Sequence, residues 1–229
     1  MTQDADKKAA AIAAADEVKD GMLVGLGTGS TAFFLIEELG RRLAEGLRFR
    51  AVATSLASER QAKQLGIPVL PFSEVARIDL AIDGADEIDP QLRAIKGAGG
   101  AMLREKCVAA SANRMVVIAD SSKRVAQLGL IMPVPCETLP FARAFVERAL
   151  EDLGARIMLR MTDGTPYRTD QDNLIIDCRF GAITDPQRLA AHLSAIPGML
   201  GHGLFVGEVD ALYAAEHGSA TLIERTGSA

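Results

Sequence analysis

Gly25-Leu26-Gly27-Thr28-Gly29-Ser30-Thr31, "GLGTGST", lies between a short apolar run, Met22–Val24, and a longer one, Ala32–Leu39. A glycine turn that leaves a strand-like run and opens a helix-like one marks the start of a parallel βαβ unit. Its backbone amides and the helix N-terminus suit an anion. Two anions compete: the pyrophosphate of a dinucleotide and the single phosphate of a small sugar. The dinucleotide pattern wants a third glycine where Ser30 stands. It also wants an acid about 20 residues on, at the tip of the next strand. That strand, Phe49–Ala53, runs into Thr54-Ser55, so the dinucleotide reading fails twice. Thr28, Ser30 and Thr31 can each offer a hydroxyl to a compact phosphate. The blander alternative is a glycine turn with a Ser/Thr helix cap, and the loop alone does not choose between them.

Outward from the loop the rhythm continues. Asp4–Val18 is alanine-rich and reads as a helix ending near Asp20-Gly21. Met22–Leu26, Phe49–Ala53, Ile67–Leu70, Ile78–Ile82 and Met115–Ala119 read as strands; Ala32–Ala44, Ser58–Leu65 and Ala101–Ala112 read as helices. Short, nearly all-apolar runs alternating with helices predict a parallel sheet covered on both faces. After Leu128 the pattern changes. A helix at Phe141–Leu153, strands at Arg156–Met161 and Leu174–Cys178, and a helix at Pro186–Ala195 give a β-α-β-β-α-β order, a ferredoxin-like unit. The fold expected is α/β: a Rossmann-like, doubly wound, mainly parallel sheet at 1–128 plus 205–229, with a smaller α+β domain inserted at 129–204. The last 25 residues are expected to return to the large sheet.

Composition narrows the function. Hydrophobic residues make up 48% of 229 positions, so a sizeable core can form, but Trp is absent and Ala, Val, Ile and Leu must build it. A net charge of -5 argues against a general nucleic-acid binder. No apolar stretch reaches a membrane span, and the N-terminal stretch has no signal-peptide core. Cys107, Cys136 and Cys178 are odd in number and far apart, which suits a reducing cytosol and a cytoplasmic location.

"AIDGADEID", residues 81–89, ends the fourth strand, and catalytic groups gather at such ends. Asp83 leaves the strand, Gly84 permits a bend, and Asp86 and Glu87 follow. A solvated turn or an oxygen-ligand magnesium site would use the same acids. All three histidines, His192, His202 and His217, lie outside the parallel half, and no metal is expected. "IKGAGGAMLREK", residues 95–106, then puts Lys96 before a glycine turn and Glu105 about one turn into a helix. Lysine, turn and carboxylate converge near one switch point.

"GTGST", "TSLASERQA", "DGADEID", "KGAGGAMLREK" and "ADSSK" occur in that order, followed by "TDQDNLIID" and "IPGMLGHGLF". The set resembles ribose-5-phosphate isomerase, type A, over about residues 5–207. The resemblance implies interconversion of ribose 5-phosphate and ribulose 5-phosphate through an enediolate, with no cofactor and no metal. It makes Glu105 the proton acceptor and Lys96 the enediolate stabiliser, aided by the amides of Gly97, Ala98 and Gly99. Asp83 and Asp86, with Gly84 and Ala85 between them, would hold sugar hydroxyls, and one of the two acids would assist ring opening. Thr28, Gly29, Ser30 and Thr31 would grip the phosphate, with Lys123 and also Lys7 adding positive charge. The partner is then a small sugar phosphate, not a nucleic acid or membrane, and the chain a homo-oligomer, dimer or tetramer. Two departures stand out. Asp172 occupies a position where the family often has glycine, and the tail after Gly207 matches the pattern poorly.

Two alternatives share the fold class. One is a sugar-phosphate-sensing regulatory module, but the chain lacks a separate helix-turn-helix segment. The other is a coenzyme A transferase-like protein, which normally needs a longer chain or a partner subunit.

Overall fold

The computed structural model describes residues 2–226. Residue 1 and residues 227–229, assigned above to the ends of the larger unit, lie outside the described residues. The main sheet contains β1 (Leu23–Leu26), β2 (Arg50–Ala53), β3 (Leu80–Gly84), β6 (Met115–Asp120), β14 (Ala211–Glu216) and β15 (Ser219–Glu224), in the order β15-β14-β6-β3-β1-β2. All neighbours are parallel except the β14–β15 hairpin at one edge. Helices α1 (Gln3–Ala15), α2 (Ser30–Ala44) and α3 (Leu56–Gln64) pack on one face, and α4 (Met102–Ser111) on the other. Four alanines of α1, at positions 10, 11, 14 and 15, are fully buried, and their small side chains let the helix sit close to the sheet.

The tail that matched the family pattern poorly is a full member of this sheet. Ala211 to Ala215 run parallel to Val116 to Asp120. His217 and Gly218 both have positive φ, 52° and 79°, the geometry of a tight hairpin turn. One expected strand is absent. Ile67–Leu70 makes a single parallel bridge, Val69 to Ala51. Pro68 has no N–H to donate, and Pro71 stops the run.

A second sheet holds β7 (Val134–Thr138), β8 (Arg156–Leu159), β11 (Leu174–Arg179) and β12 (Met199–His202), ordered β12-β7-β11-β8 and wholly antiparallel. Helices α5 (Arg143–Asp152) and α6 (Pro186–Ser194) complete it. This is the ferredoxin-like 4-1-3-2 arrangement. The strand read as Arg156–Met161 breaks at Arg160. Beyond it, β9 (Met161–Thr162) and β10 (Thr165–Pro166) form a small exposed hairpin. Asp172 adopts φ 60°, the left-handed region in which glycine is the unstrained residue and Asp is tolerated.

A three-stranded ribbon of β4 (Glu87–Ile88), β5 (Ala94–Ile95) and β13 (Leu204–Phe205) ties the sheets together. Glu87, the last acid of "DGADE", belongs to this join. Its carboxylate is 1% exposed and accepts N–H groups from Gly129 (2.6 Å), Ile131 (2.8 Å) and Met132 (2.6 Å). It holds the chain where the second sheet departs. A stranded buried donor costs about 1–3 kcal/mol. Glu87→Ala should therefore lower the unfolding free energy by about 3 kcal/mol, read as a lower urea midpoint.

Candidate active site

Four chain segments meet at the C-terminal ends of β1 and β3. They enclose an open cleft of about 210 Å³. The phosphate-type loop supplies Thr28 to Thr31, and the elbow supplies Gly84, Ala85 and Asp86. The lysine loop supplies Lys96 to Gly99, while Glu105 comes from α4 and Lys123 from the turn after β6. Asp83 stands directly behind this lining, 2% exposed. Every site residue expected from the sequence is thus brought to one place except Lys7. Lys7 lies outside the cleft lining and pairs with Asp4 at 3.2 Å.

The centre is an ammonium between two carboxylates. Lys96 Nζ lies 2.9 Å from Asp83 Oδ2 and 3.3 Å from Glu105 Oε2, and it also donates to the Gly84 carbonyl. All three residues are almost fully buried. Asp83 Oδ1 accepts from the Thr28 and Gly84 amides at 2.9 and 2.7 Å. A side chain at Gly27 would put its Cβ 2.1 Å from that oxygen, so the glycine turn exists partly to admit Asp83. Neither Asp83 Oδ2 nor Glu105 Oε2 has a well-directed hydrogen bond, although both touch the ammonium.

One positive charge therefore faces two acids. Burial lowers the Lys96 pKa, but Asp83 and then Glu105 outweigh it, and the ammonium is held above its ordinary value. Burial pushes Glu105 up, opposed by Lys96 and reinforced by Asp83. These two shifts pull on one contact in opposite senses. The distances agree with the order of causes: Asp83 lies closer to the ammonium, at 2.9 Å, than Glu105 does, at 3.3 Å. Asp86 is also raised by burial, while the Ala98 N–H, 2.8 Å away, opposes the rise.

The glycine-hydroxyl loop is tied back to the neighbouring strand ends through its hydroxyls. Ser58 Oγ donates to the Gly27 carbonyl (2.6 Å) and Thr54 Oγ1 to the Leu26 carbonyl (3.0 Å). The Thr28 hydroxyl shares a hydrogen bond with Thr54 Oγ1 at 2.7 Å and lies 3.3 Å from Ser58 Oγ. Ser30 and Thr31 stand beside Thr28 at the first turn of α2. Gly29, φ 98°, sets the entry angle.

Several contributors carry no local signature in the sequence. The Phe205 ring lies 5.4 Å from Lys96 Nζ and 4.3 Å from Lys106 Nζ, a favourable setting for buried ammonium groups. Burial lowers the Lys106 pKa, while Glu208 at 3.1 Å supports its charge. Phe205 and Glu208 lie about 100 positions away from the residues they serve, so only the fold reveals them. Among the described residues there is no group of three or more His, Cys, Asp or Glu placed to hold a metal ion.

The fold and site define an α/β protein with a glycine-hydroxyl loop at a helix start beside a buried lysine–carboxylate centre. The sequence model of ribose 5-phosphate isomerase A (phosphoriboisomerase A) matches residues 50–219. A ribose-5-phosphate isomerase A from Sphingopyxis alaskensis is 52% identical over 208 residues, 91% of each chain. The structure of ribose 5-phosphate isomerase A from Methanocaldococcus jannaschii superposes with a TM-score of 0.93 at 38% identity, covering 97% of this chain and all of that one. A D-ribose-5-phosphate isomerase in complex with phospho-erythronic acid gives 0.95 at 36% identity, covering 98% and 100%. The chain belongs to the ribose-5-phosphate isomerase A family.

The raised Glu105 pKa has a consequence for stability. As pH rises from the usual carboxylate range, the unfolded chain ionises at this position before the folded one does. Stability is fully present below that range and is lost as pH climbs through the raised value. Glu105→Gln removes the penalty. Its thermal midpoint, relative to the parent, should climb with pH across that interval; a pH-independent difference would contradict the shift.

Proposed function

We propose that this cleft interconverts ribose 5-phosphate and ribulose 5-phosphate with Glu105 as the base and Lys96 as the electrophile. The observation that carries the assignment is the buried Asp83–Lys96–Glu105 contact at the cleft floor. Aldose–ketose exchange moves the C2 proton to C1 and the O2 hydroxyl proton to O1. A single carboxylate that takes and returns the carbon-bound proton is sufficient. Negative charge builds on the oxygens between the two transfers, and a fixed ammonium with nearby amides stabilises it. Lys96 is too firmly charged to act as the base. Asp83 has its Oδ1 committed to two amides. Among the described residues Glu105 accepts no backbone amide, touches Lys96 only at 3.3 Å and has a raised pKa, which brings a carboxylate closer to neutral pH, where a general base works best.

The remaining roles follow from placement. Asp86 and the Gly84-Ala85 backbone border the cleft beside Lys96, where sugar hydroxyls would lie. Ser30, Thr31 and the α2 N-terminus form its anion end, with Lys123 adding charge. We read residues 129–204 as the inserted unit, supported by its separate sheet and apolar core. The reading includes a cytoplasmic homo-oligomer. Fully exposed Phe141 and half-exposed Phe145 give the smaller unit an apolar surface that favours association. Among the described residues no helix is long and apolar enough to cross a membrane.

Two measurements test the assignment. Glu105→Gln keeps shape and removes basicity, so kcat should fall about 10²–10⁴-fold with KM little changed, and exchange of the C2 proton with deuterated solvent should fall in step. Near-normal turnover in this variant, with Asp83→Asn or Asp86→Asn inactive, would move the base to the elbow. At the other end of the cleft, Thr31→Val should raise KM for ribose 5-phosphate while hardly affecting the weak binding of unphosphorylated ribose. An equal loss for both sugars would place the phosphate elsewhere.

A further inference from the structure

The turn after Lys96 has two sides. The N–H side borders the cleft, and the C=O side is held by the smaller unit. Arg160, at the break after β8, donates from Nη1 to the carbonyls of Gly97 (3.1 Å) and Ala98 (3.0 Å). Tyr167 donates its hydroxyl to the next carbonyl, Gly99, at 3.3 Å. The guanidinium is itself fixed. Asp177 takes Nε at 2.9 Å and Nη2 at 2.5 Å in a fork, and the Tyr167 ring lies 5.9 Å from its centre.

A peptide unit is planar, and in the trans form its C=O and N–H point in opposite directions. Holding the Gly97 carbonyl therefore aims the Ala98 N–H, which meets Asp86 Oδ2 at 2.8 Å. Holding the Ala98 carbonyl aims the Gly99 N–H, which has no acceptor among the described residues and borders the cleft. The turn closes one bond of its own, Gly100 N–H to the Gly97 carbonyl at 2.9 Å, but with glycines at 97, 99 and 100 it has more conformations open to it without an outside grip.

We infer that Arg160 is a positioning residue for the reaction: by anchoring two consecutive carbonyls it presets the Gly99 amide as an enediolate donor and the Ala98 amide as the support of Asp86. Asp177 neutralises the guanidinium, so the contribution is geometry, not charge. A guanidinium suits the task because its planar fork bonds Asp177 and the turn at once. This rests on the isomerase reading of the cleft.

The test compares Arg160→Met, Arg160→Lys and Asp177→Asn with the parent. The readouts are kcat and KM for ribose 5-phosphate, the inhibition constant of 4-phospho-erythronic acid, and the thermal midpoint. The acid's carboxylate carries charge where the enediolate oxygens form. Arg160→Met should lower kcat about 10–100-fold and weaken the acid by a similar factor, with KM changed less than about threefold. Arg160→Lys should recover part of both. If Arg160→Met does not stay folded at the assay temperature, Asp177→Asn, which loosens Arg160 without removing it, should show the same split at smaller size. Unchanged kcat in a folded Arg160→Met chain, or a parallel loss of substrate and acid affinity at unchanged kcat, overturns the inference and leaves the isomerase reading intact. A parent chain that fails to turn over ribose 5-phosphate overturns both.

Discussion

One buried ammonium shared by two carboxylates governs the design of this cleft. Removing an ion from water costs several kcal/mol even after relaxation, and here three ionisable groups, Asp83, Lys96 and Glu105, are nearly dry. Two of them are well supplied with partners. Asp83 has two amides and the ammonium; Lys96 has two carboxylates, a carbonyl and the Phe205 face. Glu105 has only the longer contact to Lys96. The imbalance leaves burial as the main influence on Glu105, and burial raises its pKa.

That centre demands backbone in places where side chains would collide. Gly27 gives way to the Asp83 carboxylate, and Gly97, at φ 103°, reverses the chain directly after Lys96. Freedom of this kind is costly unless something else fixes the turn. On the cleft side Asp86 holds Ala98; on the far side Arg160 and Tyr167 hold the carbonyls. The turn's own bond from the Gly100 N–H to the Gly97 carbonyl, at 2.9 Å, is thus joined by contacts from the second sheet.

The parts legible in the sequence were those encoded over short distances. "GLGTGST", "DGADE" and "KGAGGAMLREK" each fold as one turn leaving one element, so their spacing already places Thr31, Asp86, Lys96 and Glu105 at strand ends or helix starts. The alternation of apolar runs gave the parallel sheet for the same reason. What stayed hidden depends on partners far apart. Nothing near Thr28 shows that its hydroxyl shares a hydrogen bond with Thr54. Ile67–Leu70 has a strand's composition, but its pairing is limited by the prolines beside it. Glu87 looked like a member of the acidic elbow, yet its burial under three amides makes it a structural anchor.

The second sheet has the same logic at a larger scale. It is reached through the segment that Glu87 holds, and it returns through β13, whose Leu204 and Phe205 pair with Ile95 and Ala94 just before Lys96. The Lys96 N–H itself donates to the Gly203 carbonyl at 2.9 Å. Chain departure, chain return and the Arg160 grip therefore converge on residues 94–99 from different directions. A Rossmann-like sheet alone could present the anion loop and the acidic elbow, since both leave its own strands. It could not fix the lysine turn, which leaves the sheet altogether. The smaller sheet is the element that reaches that turn from outside, through Arg160 and Tyr167.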